Sequence, residues 1–166
     1  MSICYDFSGK IVLITGSSSG IGAATARMFS KAGANVVING LDENDLKNVA
    51  NDCQKISPSS LKPIYFKIDI REENDMNFLL NETIKNFGKL DVLVNNVGID
   101  AFCDINGQDY LNIFKNVMDI NLFSTIYMTR ICLSYLAKTR GSIVNVSSVA
   151  SIRSVSVHVS KNQCSY

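Results

Sequence analysis

Proline is scarce: the chain has two in 166 residues, Pro58 and Pro63, and they fall in one short stretch, so proline interrupts secondary structure nowhere else. An excess of one charge is also missing. Sixteen Lys and Arg face 15 Asp and Glu, a formal charge of +1, and no block of like charge stands out. The electrostatic footprint of a nucleic-acid or anionic-membrane binder is therefore absent, while small neutral or anionic ligands stay open. No apolar run approaches the roughly 20 residues that span a bilayer, and Met1 to Lys10 contains Asp6 and no segment of signal-peptide length. A cytoplasmic protein is the default expectation. The cysteines, Cys4, Cys53, Cys103, Cys132 and Cys164, are scattered, odd in number and without a C-x-x-C pair. That pattern argues against a disulfide framework or a metal site and for reduced, buried thiols. What the chain does have, 46% hydrophobic residues, suits one globular domain over residues 1–166.

Ile11-Val12-Leu13-Ile14 is a continuous, mostly β-branched run of the kind buried on both faces of a parallel sheet. After the glycines that follow it, Ile21, Ala24, Met28 and Ala32 recur at helical spacing, and Gly33 stands where that helix should stop. Val36-Val37-Ile38 reads as a second strand, Asp42 to Ile56 as a helix, Ile64 to Ile70 as a third strand and Glu72 to Phe87 as a helix. Leu90 to Val94 and Ser142 to Val146 give two more strands, separated by a helical stretch from about Asp109 to Lys138. Alternating strands and helices predict an α/β fold: a Rossmann-type, doubly wound parallel sheet, incomplete at about five strands, in the order 3-2-1-4-5. The 109–138 stretch is apolar on more than one face, through Phe114, Met118, Leu122, Phe123, Ile126, Met128, Ile131 and Leu133. One side should pack on the sheet, and the other needs more of this chain or a second copy, which makes a homo-oligomer through this helix an expectation.

The sharpest feature is Thr15-Gly16-Ser17-Ser18-Ser19-Gly20-Ile21-Gly22, set directly between a strand and a helix. Glycines let the chain turn tightly, bring backbone N–H groups up to a pyrophosphate and let helix and strand pack closely. The helix N-terminus adds unpaired N–H groups and the positive end of its dipole. The strand before and the amphipathic helix after supply the context such a motif needs to predict a dinucleotide site. No Lys-Ser or Lys-Thr follows the last glycine, so the loop is not of the P-loop type. At the tip of the second strand, Asn39-Gly40-Leu41-Asp42, glycine at 40 leaves no carboxylate to repel a 2′-phosphate, which leans the NAD(P) expectation toward NADP.

These residues resemble the short-chain dehydrogenase/reductase family, classical type. Its T-G-x-x-x-G-x-G turn appears as Thr15 to Gly22, its acidic residue after the third strand as Asp69-Ile70, and its N-N-A-G as Asn95-Asn96-Val97-Gly98. Its helical asparagine matches Asn121, and its active-site serine matches Ser148 in Asn145-Val146-Ser147-Ser148. The motifs run in family order and cover Ser8 to about Ser151, with residues 152–166 a divergent tail. The resemblance implies that Gly16, Ser18, Ser19, Gly20, Ile21 and Gly22 hold the pyrophosphate, Asp69 and Ile70 the adenine edge, and Asn95, Asn96 and Gly98 the adenosine ribose and the floor of the nicotinamide pocket. Asp69 as a helix cap, and Asn95-Asn96 as a tie between strands, are the competing readings. The implied reaction is hydride transfer to or from a small alcohol or ketone, with Asn121, Ser148 and Lys161 in the active site. The resemblance also implies that full members of the family continue beyond the length seen here.

The family's proton donor is a tyrosine in Y-x-x-x-K, whose pKa of about 10 a neighbouring ammonium lowers toward working pH. Ser160-Lys161 resembles the end of that motif, yet four residues before Lys161 stands Val157, which has no proton to give. Lys161 also lies thirteen residues after Ser148, about where relatives place the tyrosine. His158 adjoins the vacancy but points about 100° away on a helix. Tyr166 leaves no lysine downstream. Val155, Val157 and Val159 alternate with polar residues at a strand-like period, so the tail can also be read as unrelated to the family. Two functions follow as expectations: an NAD(P)-dependent oxidoreductase, or a catalytically silent dinucleotide-binding fragment that partners longer relatives.

Overall fold

The structure, a computed structural model, describes residues 5–101 and 106–149. Ile11–Ile14 (β1) is buried throughout, as an unbroken apolar run must be in a sheet covered on both faces. Asn35–Gly40 (β2), Ile64–Lys67 (β3), Val92–Asn95 (β4) and Ser142–Asn145 (β5) run parallel to it in the order β3-β2-β1-β4-β5. Val12 lies opposite Val36 on one side and Val92 on the other. The connections are Gly20–Lys31 (α1), Glu43–Ile56 (α2), Glu73–Phe87 (α3), Tyr110–Met118 (α4) and Ser124–Thr139 (α5). The doubly wound α/β sheet is as expected.

Alternation along each strand divides the core in two. Ile11, Leu13 and Val37 pack with Met76, Leu79 and Leu80 of α3 and with Met128, Cys132 and Leu136 of α5. Val12, Ile14, Val36 and Ile38 pack with Leu46, Val49 and Cys53 of α2 and with Ala23 and Ala26 of α1. The face α1 buries is not the one its larger apolar residues mark out. Ile21 and Met28 are 66% and 72% exposed, and Gly22, Ala23, Ala26 and Ser30 face inward. Where α1 starts on a tight turn from its own strand it lies close to the sheet and presents small residues, while Phe29, nearer its end, packs partly buried against the same core.

Several boundaries differ from expectation, the second strand running Asn35–Gly40 and the fifth ending at Asn145 among them. The third strand stops at Lys67 rather than Ile70, because after Ile68 N–H reaches Gly40 O the next N–H, that of Asp69, turns to Asp75 Oδ2 at 2.7 Å. The fourth strand runs to Asn95 and starts at Val92. The single helix expected over 109–138 is two helices joined by one π turn, Asp119–Phe123. Ser124 Oγ and Thr125 Oγ1 donate back to Ile120 O and Asn121 O, which helps to open the helix there.

Asp91, beside the start of β4, ties the floor of the sheet together. Its side chain is 5% exposed, accepts Ile11 N–H at 2.9 Å and pairs with Lys10 at 3.2 Å and Lys89 at 3.0 Å. Burial acts to raise its pKa, but the Ile11 N–H and the two ammonium groups outweigh it and hold the carboxyl below its usual range. Cys53 and Cys132 are buried free thiols; burial pushes Cys53 up and Cys132 up to about 12. Cys4, Cys103 and Cys164 lie outside the described residues. No helix among the described residues is long and apolar enough to cross a membrane. The outer edge of β5 has no partner strand among them, and Val144 and Val146 are 47% and 39% exposed there.

Candidate functional site

The chain leaves β1 for β2 and β3 on one side and returns for β4 and β5 on the other, so the carboxyl ends of β1 and β4 form the switch point where open α/β sheets bind ligands. The turn after β1 opens there. Its shape is set from beneath by polar side chains rather than by the glycines alone. Asn39, 2% exposed at the end of β2, accepts Gly16 N–H on its Oδ1 at 3.2 Å and donates Nδ2 to Ile14 O at 2.9 Å. Ser17 Oγ donates to the same carbonyl at 2.7 Å and accepts Asn39 N–H at 3.0 Å. Thr15 Oγ1 accepts the N–H groups of Asn96 and Val97 at 3.0 and 3.1 Å. Asn96 Nδ2 donates to Thr15 O and Gly16 O at 2.9 and 3.0 Å. β1, β2 and β4 are thereby laced to one loop.

Gly16 has φ +61° and Gly20 φ +53°, conformations that favour glycine. Gly22 is required for a different reason: a Cβ there would collide with Gly16 O and stand 2.5 Å from Asn96 Nδ2. The first hydrogen bond of α1 is Ala23 N–H to Ser19 O at 3.0 Å, so the N–H groups before it have no helical acceptor. They border a cavity of about 460 Å³ lined by Gly16, Ser18, Ser19, Gly20, Asn96 and Gly98, among others. Unpaired donors, a helix N-terminus and a floor stripped of Cβ atoms fit a diphosphate.

A second cavity of about 270 Å³ continues from Gly16 past Leu41 to Asp69, Ile70 and Arg71, with Asn116 and Ile120 opposite. Asp69 does not cap α3, whose N-cap is Glu72. Its carboxylate is gripped by Arg71, through the guanidinium and the backbone N–H, and this hydrogen-bonded pair holds its pKa below the usual carboxylate value against the effect of burial.

Asn95 and Asn96 take different places. Asn96 borders the first cavity. Asn95 is 3% exposed and braces the sheet below it, donating Nδ2 to Asn145 Oδ1 at 2.8 Å and Thr129 Oγ1 at 3.1 Å, while its buried Oδ1 has no partner among the described residues. Asn121 sits in the π turn, and its amide clamps the backbone of Ile99 from both sides, Oδ1 accepting the N–H and Nδ2 donating to the carbonyl, each at 2.8 Å. That places it next to Gly98. Val146 N–H donates to Asn95 O at 2.8 Å, so the chain stays beside β4 past the end of β5 and brings exposed Ser148 out at the same edge of the sheet. Lys161, with Val157, His158 and Tyr166, lies outside the described residues.

The sequence marked Thr15 as the start of the turn and Asn39 at the tip of the second strand but showed neither as a brace of the turn, and it did not mark Arg71. Asn39 had left a signal, one amide closing the otherwise apolar run Val36-Val37-Ile38. Arg71 had left none, since a single arginine after Asp69-Ile70 is ordinary surface composition.

Fold and cradle together define a doubly wound α/β protein of the dinucleotide-binding type. The chain belongs to the short-chain dehydrogenase family, whose model matches residues 10–160. It is 35% identical over 146 residues to 11-beta-hydroxysteroid dehydrogenase A of Sesamum indicum, covering 88% of this chain and 41% of that protein. It is 34% identical over 149 residues to L-fucose dehydrogenase of Mus musculus, covering 90% and 52%. Among solved structures it resembles a short-chain dehydrogenase/reductase of unknown function from Caenorhabditis elegans, crystallised with cofactor, at 38% identity and a TM-score of 0.77, covering 87% of this chain and 54% of that one. The chain thus spans about half the length of the relatives it matches.

Proposed function

We propose that the cleft binds a nicotinamide dinucleotide, NADP in preference to NAD, and that the chemistry it serves is hydride transfer to or from a small alcohol or ketone. The observation that carries the reading is the floor of the cleft: a Gly16–Gly22 turn locked by Asn39, Thr15 and Asn96 at the switch point of the sheet, open to the cavity that ends at Asp69. The N–H groups from Ser18 to Gly22, with the hydroxyls of Ser18 and Ser19, take the diphosphate, while Gly16, its own N–H held by Asn39, lets the turn approach it. Asp69 and Ile70 meet the adenine edge, Asn96 and Gly98 the ribose side, and Asn95 acts from beneath as a positioning residue. Bound there, the cofactor supplies or accepts the hydride. Ser148 steadies the substrate oxygen, Asn121 takes part in the proton relay and Lys161 holds the ribose. The names of the relatives span a sugar and steroids, so the substrate class stays at a secondary alcohol or its ketone. The apolar outer face of α4 and α5, with Leu111 and Ile126 at 73% and 57% exposure, belongs to the same proposal as the surface that a second copy covers.

Val157 favours a second reading. With valine four residues before Lys161, the chain binds the cofactor without turning over. Calorimetric titration of the full chain with NADPH and NADH tests the first claim, and saturable heat is the expected result. Heats no larger than dilution for both cofactors at millimolar concentration overturn it. NADPH oxidation with a panel of ketones then separates the readings, since a robust rate removes the silent one.

A further inference from the structure

Among the described residues, the two cavities of the cleft are lined by one cation, and it is not at the tip of β2. In doubly wound nucleotide sites that tip reads the ribose 2′ position, an acid for a hydroxyl and a nearby arginine for a phosphate. Here the tip is Gly40-Leu41, which offers neither. An acid cannot stand at 40 unless the phosphate turn moves, because a Cβ there would lie 2.5 Å from Ser18 Oγ and 2.7 Å from Ser18 Cβ. Asp42 is occupied, its carboxylate accepting Asp45 N–H at 2.9 Å to cap α2. The cation is Arg71, and it shares the smaller cavity with Leu41.

Arg71 is already held in place. Nε donates to Asp69 Oδ1 and Oδ2 at 3.0 and 3.1 Å, Nη2 donates to Oδ2, and Nη1 donates to Asn116 Oδ1 at 3.0 Å. One grip is on the loop after β3 and the other on α4, so the guanidinium spans the cavity. These contacts use three of the five N–H groups that a guanidinium carries, which leaves two unspent. An arginine anchored before the ligand arrives loses little rotamer freedom on binding it.

We propose that Arg71 is the specificity-determining residue for the 2′-phosphate of the dinucleotide: it donates its two unspent N–H groups to that phosphate while Asp69 and Asn116 hold the guanidinium. The inference rests on the reading of the cleft as a dinucleotide site. Asp69 offsets part of the charge, so the preference is modest, at the low end of what hydrogen bonds to charged groups supply.

The test uses two probes that differ only in the 2′-phosphate, adenosine 2′,5′-bisphosphate and adenosine 5′-monophosphate, titrated calorimetrically into the full chain. The wild-type chain should bind the bisphosphate about tenfold more tightly. Arg71→Gln should bring the two affinities within about a factor of two while changing that of the monophosphate little, and adding Leu41→Arg to that variant should restore the gap. Equal loss for both probes in Arg71→Gln, or an unchanged ratio, overturns the proposal and leaves the dinucleotide reading intact. If the wild-type chain binds neither probe nor either cofactor, the dinucleotide reading itself fails and takes the proposal with it.

Discussion

Gly22→Ala is the substitution that most directly probes the cradle, because helix propensity and packing give opposite signs. Gly22 lies inside α1, where alanine is ordinarily favoured over glycine by about 1 kcal/mol. The new methyl group would run into Gly16 O and sit 2.5 Å from Asn96 Nδ2. Neither neighbour can yield cheaply. Gly16 belongs to a turn pinned by Asn39, and Asn96 is held by two hydrogen bonds of 2.9 and 3.0 Å to Thr15 O and Gly16 O. Overpacking of this kind costs about 1–3 kcal/mol, and each Asn96 bond that breaks costs about 1 kcal/mol more. Set against the helix gain, the net loss is about 2–4 kcal/mol, or a fall in melting temperature of about 4–16 °C for a chain of this size. Urea denaturation gives the stability change, and titration with NADPH gives the binding change, which should be lost because the Gly16 carbonyl and the turn above it must move. A Gly22→Ala variant that melts at or above the wild-type temperature and still binds NADPH would refute the claim that backbone closeness at this position builds the site.

Two further predictions concern the frame. Asp91→Asn removes the charge that Lys10 and Lys89 share and should lower stability at neutral pH by about 1–3 kcal/mol, less than for a fully buried pair because both lysines are half exposed. The folded pKa of Asp91 is depressed, so its contribution is present above the unfolded carboxylate value of about 3.9 and is lost as pH falls through the folded value; urea midpoints measured from pH 7 down to pH 3 should show a shallower acid decline in the variant, and parallel curves would contradict this. Cys132, fully buried with its thiol pushed up to about 12, should resist iodoacetamide at pH 8 in the folded chain and react in urea, and peptide mass spectrometry that finds it labelled as fast as in urea would place it outside the core.

The sheet was legible because its information is local. Ile11 to Ile14 reads as a strand buried on both faces whatever surrounds it, and five such runs separated by helical spacing leave one economical topology. The motifs of the cleft were legible for the same reason, since glycines at fixed spacing constrain the backbone within eight residues. What stayed hidden depends on partners distant in sequence. Asn39 matters through Gly16, 23 positions away, and Arg71 through Asn116, 45 positions away. The buried face of α1 was not legible because periodicity marks Ile21 and Met28 as apolar without recording how near the sheet lies. The clamp that Asn121 makes from the π turn escaped notice because its partner, Ile99, lies in another loop.

That division also separates the two things the chain could do. Every hydrogen bond that shapes the diphosphate cradle closes within β1, β2, β4 and the turns at their ends, through Thr15, Ser17, Asn39 and Asn96. Among the described residues, none after Gly98 contributes to it. In the proposed reading the reacting end draws on other residues, Asn121 on a distorted helix and Ser148 past the last described strand. Binding and turnover therefore answer to different residues. A change at Gly22 or Asn39 should weaken cofactor binding whether or not the chain is catalytic. A change at Ser148 should leave binding untouched and alter a rate only if there is one to alter. A chain that binds NADPH tightly and is indifferent to Ser148→Ala in every assay has kept the nucleotide cradle of its family and lost the chemistry.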